Sequence, residues 1–586
     1  MAAIAFLKDD DETLQGVEKQ AAQLSPGNGV FYARIAEICG RSYRFDKAVE
    51  MGRKAVALNS RLWSGHITLG INLLRQGEEI EALYHLEEGF RGDPFNLRAM
   101  NLLKVLDVLD GFETRTTENF VVRMHSSEAN VLWPYLKPLL EESWTTLTGK
   151  YDFIPQGPIL IELFSDYQDF AVRTSGLPDI GHLLGVCFGS VITLGSPRGH
   201  KPPGTINWQE VVWHEFAHVI TLQMTRNNIP RWLSEGVSVF EEKNGRTEWG
   251  RHQEIELIKA VQENRIIGLS ELNESFSRAK SLADLDFAYY QSSLLVEFIA
   301  ERYGFEMLKS LIYGFATQVD MNDVFKTVFG MPLEEVEGQF ISWINGRVEM
   351  LDVDLDQVVF DNHGSHSDQH DGKSPVASDD QKNGLIEALY QQIETSPRNF
   401  FAHLQLGLIF YADDNLVGAL DHLTRASELL PTYSSSPNPR QILAEIYEDL
   451  EDVEALTREL EALLHVHQYA YGACLKLAQV AQSGSDYDRA VYYLEKAIAL
   501  NPYDQAVHRS LAAAAMQQLD YPTAIREYGV LLALDDTDPA LANTNLAEAF
   551  LLHGNKLEAK RYALAALEIA PMFERAQNIL LTAVDP

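Results

Sequence analysis

His214-Glu215-Phe216-Ala217-His218 sets two imidazoles four residues apart, with a carboxylate directly after the first. On a helix, residues i and i+4 share a face about one turn apart, so both rings can reach a single ion. Glu215 projects close to that face and can hold a water beside the ion. Sixteen residues separate His218 from Glu235, which lies within Pro230-Arg231-Trp232-Leu233-Ser234-Glu235-Gly236. Proline and the tryptophan after it open a second helix, and a carboxylate in its first turns can supply a third ligand. Two nitrogens and one oxygen suit Zn2+. Three protein ligands leave a tetrahedral position open, which is the catalytic arrangement rather than the closed structural one. The plainer alternative makes His214 and His218 core histidines satisfied by carbonyls and Glu215 an ion-pair partner; Glu235 favours the metal.

These residues need a buried helix to hold them, and the flanks provide one. Val211, Val212, Phe216, Val219 and Ile220 surround the motif and no proline interrupts it. Trp213 and Trp232 are expected to pack the two ligand helices together. Upstream, Asn119–Met124, Pro158–Phe164 and Gly185–Leu194 are short, apolar and β-branched, so each is expected to be a strand. From Trp208 to about Met350 the pattern is helical. Strands followed by helices point to an α+β domain.

Both flanks of that domain repeat. Gly407, Ala419, Ala426 and Pro431 recur in spacing as Ala478, Ala490, Ala497 and Pro502, and again as Ala547, Ala559, Ala566 and Pro571. Gly70, Ala82, Gly89 and Pro94 fit the same frame, as do Ala36, Ala48 and Ala55. Small residues at these offsets let paired helices approach closely, and proline closes the second helix. The pattern resembles the 34-residue tetratricopeptide repeat (TPR), with a degenerate unit from Pro439 to Leu464 and N-terminal helices running to about Asp110. Leu351–Asn383 is rich in Asp, His, Ser and Gly and reads as a solvated linker. Its His363, His366 and His370 are a weak metal-binding alternative.

The composition limits the partners. With 84 Asp+Glu against 48 Lys+Arg, the 586 residues carry a formal net charge of -36. That balance disfavours nucleic acid and anionic membrane surfaces, which both recruit cationic protein faces. Three scattered cysteines, Cys39, Cys187 and Cys474, make no disulfide framework. The N-terminal MAAIAFLKDDD lacks a basic region and a long apolar run, so a cytoplasmic protein is expected.

HEFAH followed by PRWLSEG resembles the gluzincin metallopeptidases, and in particular the bacterial peptidase MA-like domain often found beside TPRs. The resemblance spans roughly Glu118–Met350. It implies a zincin-like catalytic domain at 115–350, TPR-like helices at 1–114, the linker at 351–384 and a C-terminal TPR array at 385–586. The fold class is therefore multidomain, with α-helical TPR solenoids flanking an α+β metallopeptidase domain. The implied chemistry is peptide hydrolysis with Zn2+ on His214, His218 and Glu235, and with Glu215 as general base and acid. Related gluzincins use a tyrosine at the start of a Y-x-x-small helix to donate to the tetrahedral intermediate. Tyr289-Tyr290-Gln291-Ser292 matches that pattern and nominates Tyr289, with Tyr290 as its competitor. The strand that includes Gly185, Val186, Cys187, Phe188 and Gly189 is the candidate edge for an extended substrate backbone; an ordinary sheet strand is the alternative.

Val239 stands four residues after Glu235, where some relatives carry an acidic residue, so Ser238 or Glu242 is left to orient a ligand. Cys187 reads as a buried small hydrophobe rather than a thiolate lid. A rival from another class keeps the repeats as the working part. In it the chain is an inactive peptidase-like scaffold, binding protein partners in its TPR grooves. Intact ligands and base favour the enzyme, acting on a protein or peptide substrate.

Overall fold

The computed structural model describes residues 2–7, 10–181, 183–317, 320–356, 379–535 and 537–584. The fold is mostly helical around one small mixed sheet. Its five strands run β1 (Phe112–Thr116), β2 (Phe120–His125), β3 (Ile159–Phe164), β4 (Gly185–Cys187) and β5 (Val191–Gly195), in spatial order β1-β2-β3-β5-β4. β2, β3 and β5 are parallel, with Phe120 opposite Ile159 and Leu160 opposite Val191. The outer strands β1 and β4 are antiparallel to their neighbours. β5 is buried at every residue and β3 at all but one, as expected for central strands covered on both faces.

Three sequence expectations change here. Gly185–Leu194 is not one strand: the chain turns at Phe188–Ser190, with Gly189 at φ 99°, and returns as β5. A left-handed backbone there needs glycine. β1 was not anticipated, because its FETRT sequence has no apolar run, and the boundary at 114/115 divides it. Both ends of the expected linker are also structured. Asp354 exchanges backbone hydrogen bonds with Arg398 (3.1 Å) and Phe400 (2.9 Å), and a helix already starts at Asp379. Residues 357–378, with His363, His366 and His370, lie outside the described residues.

On either side of the sheet region the chain forms antiparallel helix pairs. Gly29–Arg41 pairs with Phe45–Leu58 and Trp63–Gln76 with Glu79–Gly92. After residue 399, five successive pairs run from Phe400 to Ile569. Asn or Asp side chains cap most of the later helices; Asp504, for example, accepts from Ala506 and Val507 N–H. The small residues of the 34-residue frame sit where helices touch: Ala36, Ala82, Ala419, Ala490, Ala547 and Ala566 are fully buried. A Cβ on Gly70 would stand 2.7 Å from Leu86, and one on Gly407 2.6 Å from Leu423. The degenerate segment is an ordinary pair, Pro439–Asp449 with Val453–Val466, with Ala455 still buried.

A second periodicity, polar and mostly buried, joins the two helices of four pairs across nineteen residues. His66 meets His85 (2.9 Å), His403 meets His422 (3.0 Å), Arg440 meets Glu459 (2.9 Å) and His508 meets Glu527 (2.6 Å). Burial lowers the pKa of all four imidazoles in the two His–His pairs from the ordinary 6.5. Such a histidine binds its proton more readily unfolded, so stability falls as pH drops below about 6.5. His422→Glu converts one pair into the His–Glu arrangement seen at His508. The fall in melting temperature between pH 7 and pH 5 should then shrink by about 2–4 °C. Calorimetry at the two pH values measures this; an unchanged difference would refute the assignment.

Candidate metal centre

The motif helix, Trp208–Met224, starts where the Asn207 side chain accepts from Glu210 N–H (3.4 Å). Its apolar flanks place it under the sheet: Phe216 packs on Phe120 and Trp144, and Trp213 on Trp249. The next helix, Arg231–Gly245, follows extended Pro230. Gly236 lets that helix meet Leu282–Tyr303 closely, since a Cβ there would stand 2.6 Å from the Ser292 carbonyl oxygen. One glycine thus brings the helix bearing Tyr289 against the helix bearing Glu235.

His214 and His218 point their Nε2 atoms at each other across 3.1 Å, and Glu235 Oε2 lies 3.1 Å from His218 Nε2 and 3.5 Å from His214 Nε2. The three donor atoms fall within 4.8 Å of one another, and no other such group of three occurs among the described residues. Each imidazole is held from behind. His214 Nδ1 bonds Glu242 Oε1 (2.5 Å) and His218 Nδ1 bonds Ser234 Oγ (2.8 Å). With Nδ1–H donating to these partners, both Nε2 lone pairs would be available to an ion, the usual way a ligand tautomer is set. Glu242 is anchored in turn by Arg251 (3.5 Å). Ser238 Oγ has no partner, so Glu242 rather than Ser238 orients His214.

The charges fit a cation. Glu215 and Glu242 are buried, and Glu235 is half-buried, round two imidazoles. Burial alone would lower the His214 pKa, but hydrogen bonds to Glu235 and Glu242 push it up to about 10, so an ion must displace the Nε2 proton to be bound there. Burial would raise Glu235, yet His218 and His214 hold it well below the usual carboxylate range. Two borderline nitrogens and a carboxylate oxygen, free on one side and hydrogen-bonded on the other, suit zinc. Glu215 behaves differently: burial raises its pKa, and its Oε2 has no hydrogen-bond partner. β4 leaves room for it, since a Cβ on Gly185 would stand 2.7 Å from Glu215 Oε1.

A cavity of about 540 Å³ opens over these residues. Tyr289 lines it, with its hydroxyl 3.4 Å from Arg231 Nη2 and its ring against Phe276. Burial, with Glu235 adding, pushes the Tyr289 hydroxyl far up, so it stays protonated at neutral pH. Gly185, Val186 and Cys187 also line the cavity, and β4 is the outer strand of the sheet. Burial, then Glu215, push the Cys187 thiol well up, which makes it a protonated wall residue and not a thiolate.

Three expected site residues stand elsewhere. Phe188 is buried against Phe45 and Val191, because the turn after β4 carries it away from the His/Glu cluster. Gly189 faces Gln223, which donates to its carbonyl (3.0 Å). Tyr290 points one residue round its helix into the core and is 3% exposed. Arg231 was not singled out from sequence. It bonds the free Glu235 Oε1 (3.2 Å), and its i,i+4 spacing to Glu235 was the available signal. Tyr43 and Asn227 also line the cavity, and nothing in the local sequence of either announces it.

Residues 190–346, from the turn before β5 into the helix Leu333–Leu351, match the model of the Peptidase MA superfamily. No curated protein matches the chain. Among solved structures, the chain is similar to YrrB, described as a TPR protein with an unusual peptide-binding site. The identity is 18%, covering 33% of this chain and 97% of that chain at a TM-score of 0.24. MamA is similar at 18% identity, over 29% of this chain and 90% of that chain, at 0.22. The Cut9–Hcn1 hetero-tetramer of the APC/C matches at 13% identity, over 100% and 95%, at 0.20. Among the described residues, no helix is long and apolar enough to cross a membrane.

Proposed function

We propose that the chain is a zinc-dependent peptidase of gluzincin type whose helical arrays recruit or restrain protein substrates. The convergence of His214 Nε2, His218 Nε2 and the Glu235 carboxylate, each tied from behind, carries this proposal. The match of residues 190–346 to the Peptidase MA superfamily supports it. Zinc held by these three side chains would supply Lewis acidity to polarise a scissile carbonyl and acidify a water.

The protein's own groups would do the rest. Glu215, raised in pKa and without a fixed partner, accepts the water's proton and returns it to the leaving amine. Tyr289, kept protonated, donates to the oxygen on which charge develops. Arg231 fixes Glu235 through its second oxygen, and Glu242 and Ser234 fix the imidazoles. The free edge of β4 at Gly185–Cys187 offers backbone groups to an extended peptide, tolerant of its side chains.

Elemental analysis of purified protein tests the site. About one zinc per chain is expected, lost in a His214→Ala/His218→Ala variant, together with cleavage of unfolded protein substrates. No zinc after reconstitution would reject the peptidase in favour of a binding scaffold.

A further inference from the structure

The cavity over the metal cluster is not built by the catalytic region alone. Arg41, Ser42 and Tyr43 also line it, and they form the turn between the N-terminal helices Gly29–Arg41 and Phe45–Leu58. Tyr43 sits there at φ 60°. Its carbonyl accepts from Asn227 Nδ2 (2.8 Å), just past the end of the motif helix. Its ring packs on Phe45 (5.3 Å between centroids) and stacks over Phe188 (6.4 Å), which Phe45 also meets edge-on. The turn is thus bolted to the catalytic region on both its backbone and its ring.

Two further observations place Tyr43 in contact with what enters. The side chain remains 38% exposed although it is packed on one side, and its open side faces the cavity. Leu222 and Ile229 line the same cavity without any charge, and Arg41, which also lines it, is tied to Glu37 (2.6 Å). Tyr43, Leu222 and Ile229 give the cavity an apolar stretch beside the charged Arg41 and Arg231, which suits an apolar group, and a chain of net charge -36 disfavours an acidic one.

We propose that Tyr43, with Leu222 and Ile229, forms a subsite for an apolar side chain of a bound peptide, so that the N-terminal helix pair completes the catalytic cleft. The inference rests on the peptidase proposal for its substrate class. It makes the N-terminal array part of the site, where sequence assigned it recruitment or regulation only.

Fluorescein-labelled decapeptides, randomised except for Leu, Phe or Asp at one central position, are titrated against the full-length, zinc-loaded chain carrying Glu215→Gln. Anisotropy should show tighter binding of the Leu and Phe sets than of the Asp set. Adding Tyr43→Ala should weaken the Leu and Phe sets at least about tenfold, as removal of an aromatic anchor does. Tyr43→Phe should stay within about twofold, because the ring and not the hydroxyl makes the wall. Unchanged binding in Tyr43→Ala, absence of any peptide binding, or loss of zinc in that variant would each overturn the inference. The peptidase proposal fails separately: the zinc-loaded chain with Glu215 restored would leave the bound peptides uncut while Tyr43-dependent binding persisted.

Discussion

Glu215→Gln should lower peptide-bond turnover about 10²–10⁴-fold while leaving zinc content and melting temperature near those of the parent chain. Size and shape are kept, so the packing of Glu215 against Gly185 survives. Basicity is lost. Glu215 donates to no imidazole and accepts from none, so the three donor atoms of His214, His218 and Glu235 keep their partners. His214→Ala differs: it removes a donor and leaves buried Glu242 facing only Arg251. The pair of variants therefore separates chemistry from assembly. Turnover and elemental analysis on the same samples make the comparison. Full turnover in Glu215→Gln would remove this carboxylate from the reaction and with it the proposed mechanism.

What was legible in the sequence follows the physics of each feature. Periodic features could be read, because a helix converts spacing into a shared face: His214 with His218, and the small residues that become helix contacts. Glu235 was legible for a similar reason, since Pro230 marks a helix start and fixes where the carboxylate emerges. Features that depend on tertiary meetings could not be read. Glu242 and Ser238 both lay within reach of the ligands on one helix, and only the packing of that helix on the motif helix chose Glu242. Tyr289 and Tyr290 are adjacent, and a rotation of one residue sends the first into the cavity and the second into the core. Phe188 and Gly189 were misplaced because an apolar run does not reveal that it folds back at a glycine. The two-strand hairpin keeps Gly185–Cys187 at the cavity and removes the rest. Tyr43 carried no signal, since its role arises from the docking of two distant parts of the chain.

Docking is also where the largest stability change is expected. Glu527→Ala should destabilise the protein by about 3–5 kcal/mol, the cost of breaking a buried charge cluster by removing one partner. Glu527 is fully buried. It accepts from the Tyr135 hydroxyl at both oxygens (2.7 Å), from His508 Nδ1 (2.6 Å) and from Arg526 Nε (2.5 Å). Alanine leaves a guanidinium, an imidazole and a phenol without that acceptor, and His508 and Tyr135 are themselves buried. Burial would raise the Glu527 carboxyl, but His508 and Arg526 hold it below the ordinary 4.5. Its contribution is therefore present above about pH 4.5 and lost as pH falls through its folded value. Tyr135→Phe tests the part that joins the C-terminal helix pairs to the sheet region, since Tyr135 lies on the helix Ser126–Tyr151 beneath the sheet. It removes one donor and leaves the acid satisfied by two others, so about 0.5–1.5 kcal/mol is expected. Denaturant titration of both variants gives the two values. Equal losses would mean that the cluster acts through the junction alone, whereas the predicted gap assigns most of its stabilisation to the helix pair that carries His508 and Glu527.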